Sequence, residues 1–237
     1  MTIDANGLDF KVINELIRRE EEIVINNCLG QRFIADGMKG KRIAVYGTPG
    51  NALGAYLDGA EISVYGNAQD AVGDTMNDGK IIVHGSVGDA CGYAMRGGEI
   101  YVEGSAGYRA GIHMKAYKDK LPVMVIGGSC GSFLGEYQAG GLIIVLGRNT
   151  EEPVVSNFCG TGMHGGKIFL CTQELCFRLP EQVNANEATA EDKEEIREYI
   201  ENYCKYFDVS FEEAFNKKFY VLTPDSKNPY KQLYCQN

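Results

Sequence analysis

The sequence predicts a mainly β fold, a parallel β-helix of about seven coils with helical N- and C-terminal flanks, on three observations. Gly30, Gly47, Gly66, Gly85, Gly104, Gly128 and Gly147 each close a short apolar run, at spacings of 17, 19, 19, 19, 24 and 19 residues. A register held that long is an internal repeat. One strand type recurs before these glycines: Ile43-Ala44-Val45-Tyr46, Ile62-Ser63-Val64-Tyr65, Ile81-Ile82-Val83-His84, Ile100-Tyr101-Val102-Glu103 and Ile143-Ile144-Val145-Leu146. The strand is followed by Gly-x-x-Gly-x-x-x-Gly: Gly47, Gly50 and Gly54; Gly85, Gly88 and Gly92; Gly104, Gly107 and Gly111; Gly128, Gly131 and Gly135; with Gln69 in the middle place between Gly66 and Gly73.

Residues two apart on a strand share a face, so Ile and Val point inward while Tyr46, Tyr65, His84 and Glu103 point away. Glycines at fixed offsets call for positive φ or close backbone approach, and at Gly85 and Gly104 the expectation is positive φ. Further glycines such as Gly59, Gly79, Gly98 and Gly141 give each lap three corners. A hairpin array would need a turn every 8 to 12 residues or so. A chain that returns to lie above itself meets the spacing, with equivalent strands stacked about 4.8 Å apart. Extra length around Tyr117 to Leu121 and from Asn149 to Ser156 reads as loops protruding from the stack.

A bare solenoid end exposes unpaired strand edge, so caps are expected. Residues 1–24 read as a partly helical cap, with Phe10, Val12, Ile13, Leu16 and Ile17 at helical spacing over 10–22; residues 25–180 read as the coil stack and 181–237 as a helical extension. In the extension Thr189-x-x-Asp192 resembles a capping box before Ile196, Tyr199, Ile200, Tyr203 and Phe207. Ser210-x-x-Glu213 opens a second helix with Phe211, Ala214, Phe215 and Phe219 on one face, and a Pro-containing tail runs from Thr223 to Asn237. The aromatic face of these helices is expected on the stack rather than on another protein.

With 237 residues, 44% hydrophobic content and 30 glycines, the chain has enough apolar mass for a solenoid core. The net charge of −9 offers nothing to nucleic acid or an anionic membrane. No stretch reads as a signal peptide or a membrane span, so a cytoplasmic location is expected. The eight cysteines form no CxxC pair and are expected as reduced thiols, Cys91 at an apolar repeat position shared with Leu53, Val72, Ala110 and Leu134.

No catalytic constellation emerges. His84, His113 and His164 lie in separate laps at different offsets, which disfavours a shared metal site. Cys171 and Cys176, with Cys159 upstream, match no usual iron–sulfur spacing, and Cys171 extends the apolar run Ile168-Phe169-Leu170. Asp70, Asp74, Asp78 and Asp89 sit beside turns, where Asp accepts from backbone amides. No phosphate-binding glycine motif is present, and no catalytic, cofactor or metal residue is assigned. The most polar cluster in the repeat, Arg109, His113 and Lys115, suits an interface or a solvated loop.

The runs GTPGNALGAYLDGAEISVYGNAQDAVGDTMNDGKIIVHG (Gly47 to Gly85) and GGLIIVLGRN, resumed at NFCGTGMHGG (Asn157 to Gly166), resemble the GXGXG domain at the C-terminal end of the glutamate synthase large subunit. The similarity spans roughly residues 25 to 175 and extends to the related β-helical subunit of formylmethanofuran dehydrogenase. It implies a right-handed β-helix without catalytic residues that positions a glutamine amidotransferase and an FMN/iron–sulfur synthase, both cofactors lying on the partner. A stand-alone chain resembles the archaeal-type arrangement of separate subunits. The alternatives it leaves are a subunit of a formylmethanofuran dehydrogenase-like complex and an interaction scaffold, self-association included.

Overall fold

In the computed structural model, which describes residues 1–151 and 153–225, the elements follow the order β1 (Thr2–Asp4), α1 (Phe10–Ile17), β2 (Glu22–Leu29), β3 (Arg42–Thr48), β4 (Asp58–Tyr65), β5 (Asp78–Val83), β6 (Glu99–Val102), β7 (Val123–Ile126), β8 (Ala139–Val145), β9 (Gly165–Cys171), β10 (Val183–Glu187), α2 (Ala190–Phe207), α3 (Phe211–Phe215) and β11 (Phe219–Pro224). Strands β1 to β9 are neighbours in sequence order and all pair in parallel; β11 and then β10 follow antiparallel at the far edge. Only a chain that completes one lap per strand gives this order, so the fold is a β-solenoid.

The repeat residues stack as the period requires. Ile43 pairs with Ile62, Ile62 with Ile81, Ile81 with Ile100, and Val45, Val64, Val83 and Val102 follow the same register. All eight are buried in the solenoid interior, each worth about 1.5–3 kcal/mol when taken from water. Leu53, Val72, Cys91, Ala110, Leu134 and Cys159 line the opposite wall, fully buried. A second, shorter ladder of bridges links Ala68, Val87, Ala106, Cys130 and Val155, so the chain rejoins the stack at Val155 after its longest excursion.

The turn glycines divide by their place in the motif. Those that end it, Gly54, Gly73, Gly92, Gly111 and Gly135, have φ between +64° and +70°. A Cβ on any of them would also run into the tip of an inward ladder residue: Ile81, Ile100, Met124, Ile143 and Ile168 in turn. The middle glycines, Gly50, Gly88, Gly107 and Gly131, lie outside the left-handed region and are held to glycine by close approach. A Cβ there would meet Gly30 O, Asp70 Oδ1, Asp89 Oδ1 and the Gly107 carbonyl carbon respectively, all one lap earlier.

The strand-closing glycines are mixed. Gly30, Gly47, Gly66 and Gly147 have positive φ, but Gly128 does not, and Gly85 and Gly104 depart from expectation in the same way. Their constraint is again close approach, since a Cβ on Gly85 would lie 2.6 Å from Gly66 O, while one on Gly104 would collide with Ser86 Oγ and one on Gly128 with Ser105 Oγ. Left-handed places between the glycines are held by ordinary residues, Ala52, Ala71, Ala90, Arg109 and Phe133, whose amides donate to the following lap.

The ends carry the expected helices, but with shorter extents and with strands beside them. Helix α1 stops at Ile17 and strand β2 begins at Glu22, while Phe219 lies in β11 rather than on the short helix α3. Val183–Glu187 has little strand character of its own; it pairs with β11, which pairs with β9 and so covers the edge the last lap would expose. The Thr189 capping box forms as expected, and α2 ends on Asp208 in the left-handed conformation. The tail expected from Thr223 to Asn237 lies, from residue 226 on, outside the described residues, as does Cys235.

Candidate interaction faces

One corner of the solenoid carries two parallel rows of residues in left-handed conformation, four positions apart. The first runs Ala71, Ala90, Arg109, Phe133, Phe158, and the second Tyr56, Thr75, Ala94, His113, Tyr137. Arg109 and His113 therefore come together on this corner. The Arg109 guanidinium lies 4.8 Å over the Phe133 ring and bonds Glu136 Oε2 at 3.0 Å; Phe133 stacks on Phe158 at 4.9 Å. The His113 ring stacks on Tyr137 at 5.2 Å, with Tyr93 edge-on at 6.0 Å. Lys115 lies around the next bend, in a shallow groove with Arg96 and Tyr117, so the expected trio divides into a pair and a separate lysine.

The aspartates at this corner have a different use from acid–base work. Asp70 Oδ1 accepts from Asp89 N at 2.9 Å, and Asp89 Oδ1 from Tyr108 N at 2.8 Å. Asn67, Ser86 and Ser105 do the same one side away, each accepting from the amide one lap later. Charge-assisted bonds to a backbone amide tie lap to lap. The loop at Tyr117–Lys120 folds back as a small turn, and Lys120 bonds Asp78 at 2.9 Å and Asp58 at 3.5 Å. The hydrogen bond that Lys120 donates to Asp78, with Asp58 adding to it, holds the ammonium above its usual range.

The second face is the outward side of β2–β9. Its rungs are Val24, Ala44, Ser63, Ile82, Tyr101, Val125, Ile144 and Phe169, in one register. Helix α2 covers the later ones: Ile196, Ile200, Tyr203 and Phe207 are buried in one cluster with Ile82, Tyr101, Val125, Ile144 and Phe169. The Tyr203 hydroxyl donates to Glu103 O at 3.1 Å, and Lys167 on β9 bonds Glu195 at 2.6 Å and Asp192 at 3.3 Å. Burial, reinforced by its bond to Glu99, holds the Tyr101 phenol far above its ordinary value. Burial opposes the charge on Lys80, but the Tyr206 hydroxyl and Glu99 outweigh it and raise the ammonium.

The thiols do not converge on reactive chemistry in this arrangement. Desolvation pushes Cys28 up to about 11 and Cys91 and Cys159 up to about 12, and Cys130 also rises well above the ordinary thiol value. Cys171 packs in the outer layer, whereas Cys176 is exposed. Among the described residues, no group of three or more His, Cys, Asp or Glu is placed to hold a metal ion, and no helix is long and apolar enough to cross a membrane. His84 stacks on Tyr65 at 4.8 Å, and His164 Nδ1 lies 3.1 Å from Gly162 O, so the three histidines stay apart. Sequence reading missed the rows of aromatic and aliphatic residues in left-handed conformation, because only glycine signals that conformation locally.

Comparison with known proteins agrees with this architecture. The uncharacterised protein MJ1350 of Methanocaldococcus jannaschii is 45% identical over 250 residues, covering 99% of this chain and 96% of the relative. A chain from the formyltransferase/hydrolase complex of Methylorubrum extorquens, crystallised with methylofuran, shares the fold, with a TM-score of 0.62 at 18% identity over 87% of this chain and 81% of that one. The model of the GXGXG motif family matches residues 7–225, through the coils and into the flanks. The chain belongs to the GXGXG motif family.

Proposed function

We propose that this chain is a non-catalytic positioning subunit of a glutamate synthase, holding a glutamine amidotransferase and an FMN/iron–sulfur synthase subunit in register. The continuous family match over residues 7–225 carries the reading, and the segments GNAQDAVG (66–73) and NFCGTGMHGG (157–166) favour the glutamate synthase branch. In that role the partner releases ammonia from glutamine, ammonia condenses with 2-oxoglutarate, and the partner's flavin reduces the imine in the cytoplasm. This chain supplies rigidity. Lap-to-lap bonds such as Asp70 to Asp89 N fix the separation of points along the stack, and reaction rates fall by as much as about 100-fold when positioned groups move by ~1 Å.

A second reading is a β-solenoid subunit of a formyl-transferring complex, favoured by the shared fold with a chain of the Methylorubrum extorquens assembly. Purifying the native chain from its own cells, then identifying companions by mass spectrometry and visible absorbance, distinguishes the two. A flavin/iron–sulfur spectrum with an amidotransferase is the expected result. Formyltransferase or hydrolase companions would favour the second reading, and a chain purified alone would contradict both.

A further inference from the structure

The outward face of the sheet is covered by α2 only as far as β5. Beyond it, among the described residues, the rungs of β4, β3 and β2 form an open trough with Met1 and Thr2 at its far end. Its floor is Ser63, Ala44 and Val24, all half-buried. One rim is a ladder of alternating charge, Glu22, Arg42, Glu61, Lys80 and Glu99, in register on successive strands. The other rim is the aromatic stack Tyr46, Tyr65 and His84, with centroids 4.7 and 4.8 Å apart. Tyr46 and Tyr65 are 46% and 45% exposed, and the Phe207 ring at the end of α2 meets His84 edge-on at 5.1 Å.

Helix α2 shows what fits this surface. Its axis runs across the strands, from Asp192 beside Lys167 on β9 to Phe207 beside His84 at the end of β5. Those fifteen or so residues rise about 22 Å, against about 19 Å for four strand spacings, so one helical turn advances about one rung. The rungs of β4, β3 and β2 extend the same track by about 14 Å, the length of two and a half turns or so, before Thr2 of β1 takes the next place beside Val24. Their floor carries Ser and Ala where the covered part carries Ile82 and Tyr101, which leaves room for larger apolar side chains on the occupant.

We propose that this trough docks an amphipathic α-helix of a partner subunit, seated end to end with α2. The occupant presents apolar residues at i, i+4 and i+7 to Ser63, Ala44 and Val24, and a basic side chain on the flank that meets Glu61. The inference rests on the positioning role proposed above and names its contact surface.

The test uses the complex as isolated from its own cells, with Tyr65→p-benzoylphenylalanine for photocrosslinking and Ser63→Arg for disruption. Irradiation is expected to join residue 65 to a partner-subunit peptide with that apolar spacing. Ser63→Arg is expected to leave the melting temperature unchanged and to lower partner recovery by about tenfold or more, as an arginine forced under a packed helix is desolvated without a partner. A crosslink to a second copy, to residues 226–237 of this chain or to a peptide without that spacing overturns the proposal, as does full recovery with a folded Ser63→Arg chain. If companions are present but crosslink elsewhere, the proposed function stands and this inference falls. If the parent chain recovers no companion, both fall.

Discussion

From β5 to β9 the outward face of the sheet lies under α2, with the rungs Tyr101 and Ile144 wholly buried, whereas from β2 to β4 the rungs Val24, Ala44 and Ser63 of the same ladder are only half-buried and the neighbouring Tyr46 and Tyr65 are nearly half exposed. The inward face shows no such division: Ile43 and Val45 near one end are as dry as Ile143 and Val145 near the other. Outward residues track the difference. The covered rungs are Ile82, Tyr101, Val125, Ile144 and Phe169, and the open ones are Val24, Ala44 and Ser63. The inward ladder is thus a requirement of the coil, and the outward ladder records what each stretch meets.

The largest effect should ignore the division. Gly104→Val drives a side chain into Ser86 Oγ and the Gly85 backbone, and Gly66→Val meets Gly47 O in the same manner in the open half. Both variants should lose more than about 4 kcal/mol or fail to fold, as thermal denaturation would show. A normal melting temperature for either would break the close-approach account. Next comes Ile200→Ala beneath the covered half, expected to cost about 2–5 kcal/mol in urea unfolding. The matched truncation Tyr65→Ala, in the open half, should cost under about 1 kcal/mol in the isolated chain. Equal losses would erase the comparison.

A smaller effect concerns how α2 is held. Asp192→Ala removes one side of the capping box and a partner of Lys167, for about 1 kcal/mol. The hydrogen bond from Thr189, with Lys167 adding to it, lowers the Asp192 carboxyl below its ordinary 3.8. Its contribution is therefore fully present above that pH and is lost as the pH falls through the folded value. Acid titration of the parent and of Asp192→Asn, followed by helical circular dichroism, should converge at low pH. Curves that stay equally separated from neutral pH down to low pH would show that this carboxylate does not hold α2.

Much of the solenoid was legible because its signals are local and repeated. Ile and Val two apart before each glycine identify the inward face, and the Thr189 and Ser210 caps locate two helix starts. What escaped the sequence depends on distant partners. Gly54, Gly92 and Gly135 are turn glycines in the local sense, with left-handed backbone, whereas Gly50, Gly88, Gly107 and Gly131 in the same motif, like Gly85 and Gly104, are constrained by neighbours one lap earlier. Strands β10 and β11 become strands by pairing across the free edge of β9, a contact no local pattern predicts. At the candidate interface, Arg109 and His113 were found as a polar cluster, but their aromatic setting of Phe133, Phe158, Tyr93 and Tyr137 comes from laps on either side.

The most direct test of the central claim is hydroxyl-radical footprinting of tyrosines in the isolated chain and in the native complex. The account predicts that Tyr101 and Tyr203 stay protected in both, while Tyr46 and Tyr65 oxidise readily in the isolated chain and become protected in the complex. Oxidation of Tyr101 in the isolated chain would contradict the covered half, and unprotected Tyr46 and Tyr65 in the complex would contradict the open half as a partner's seat.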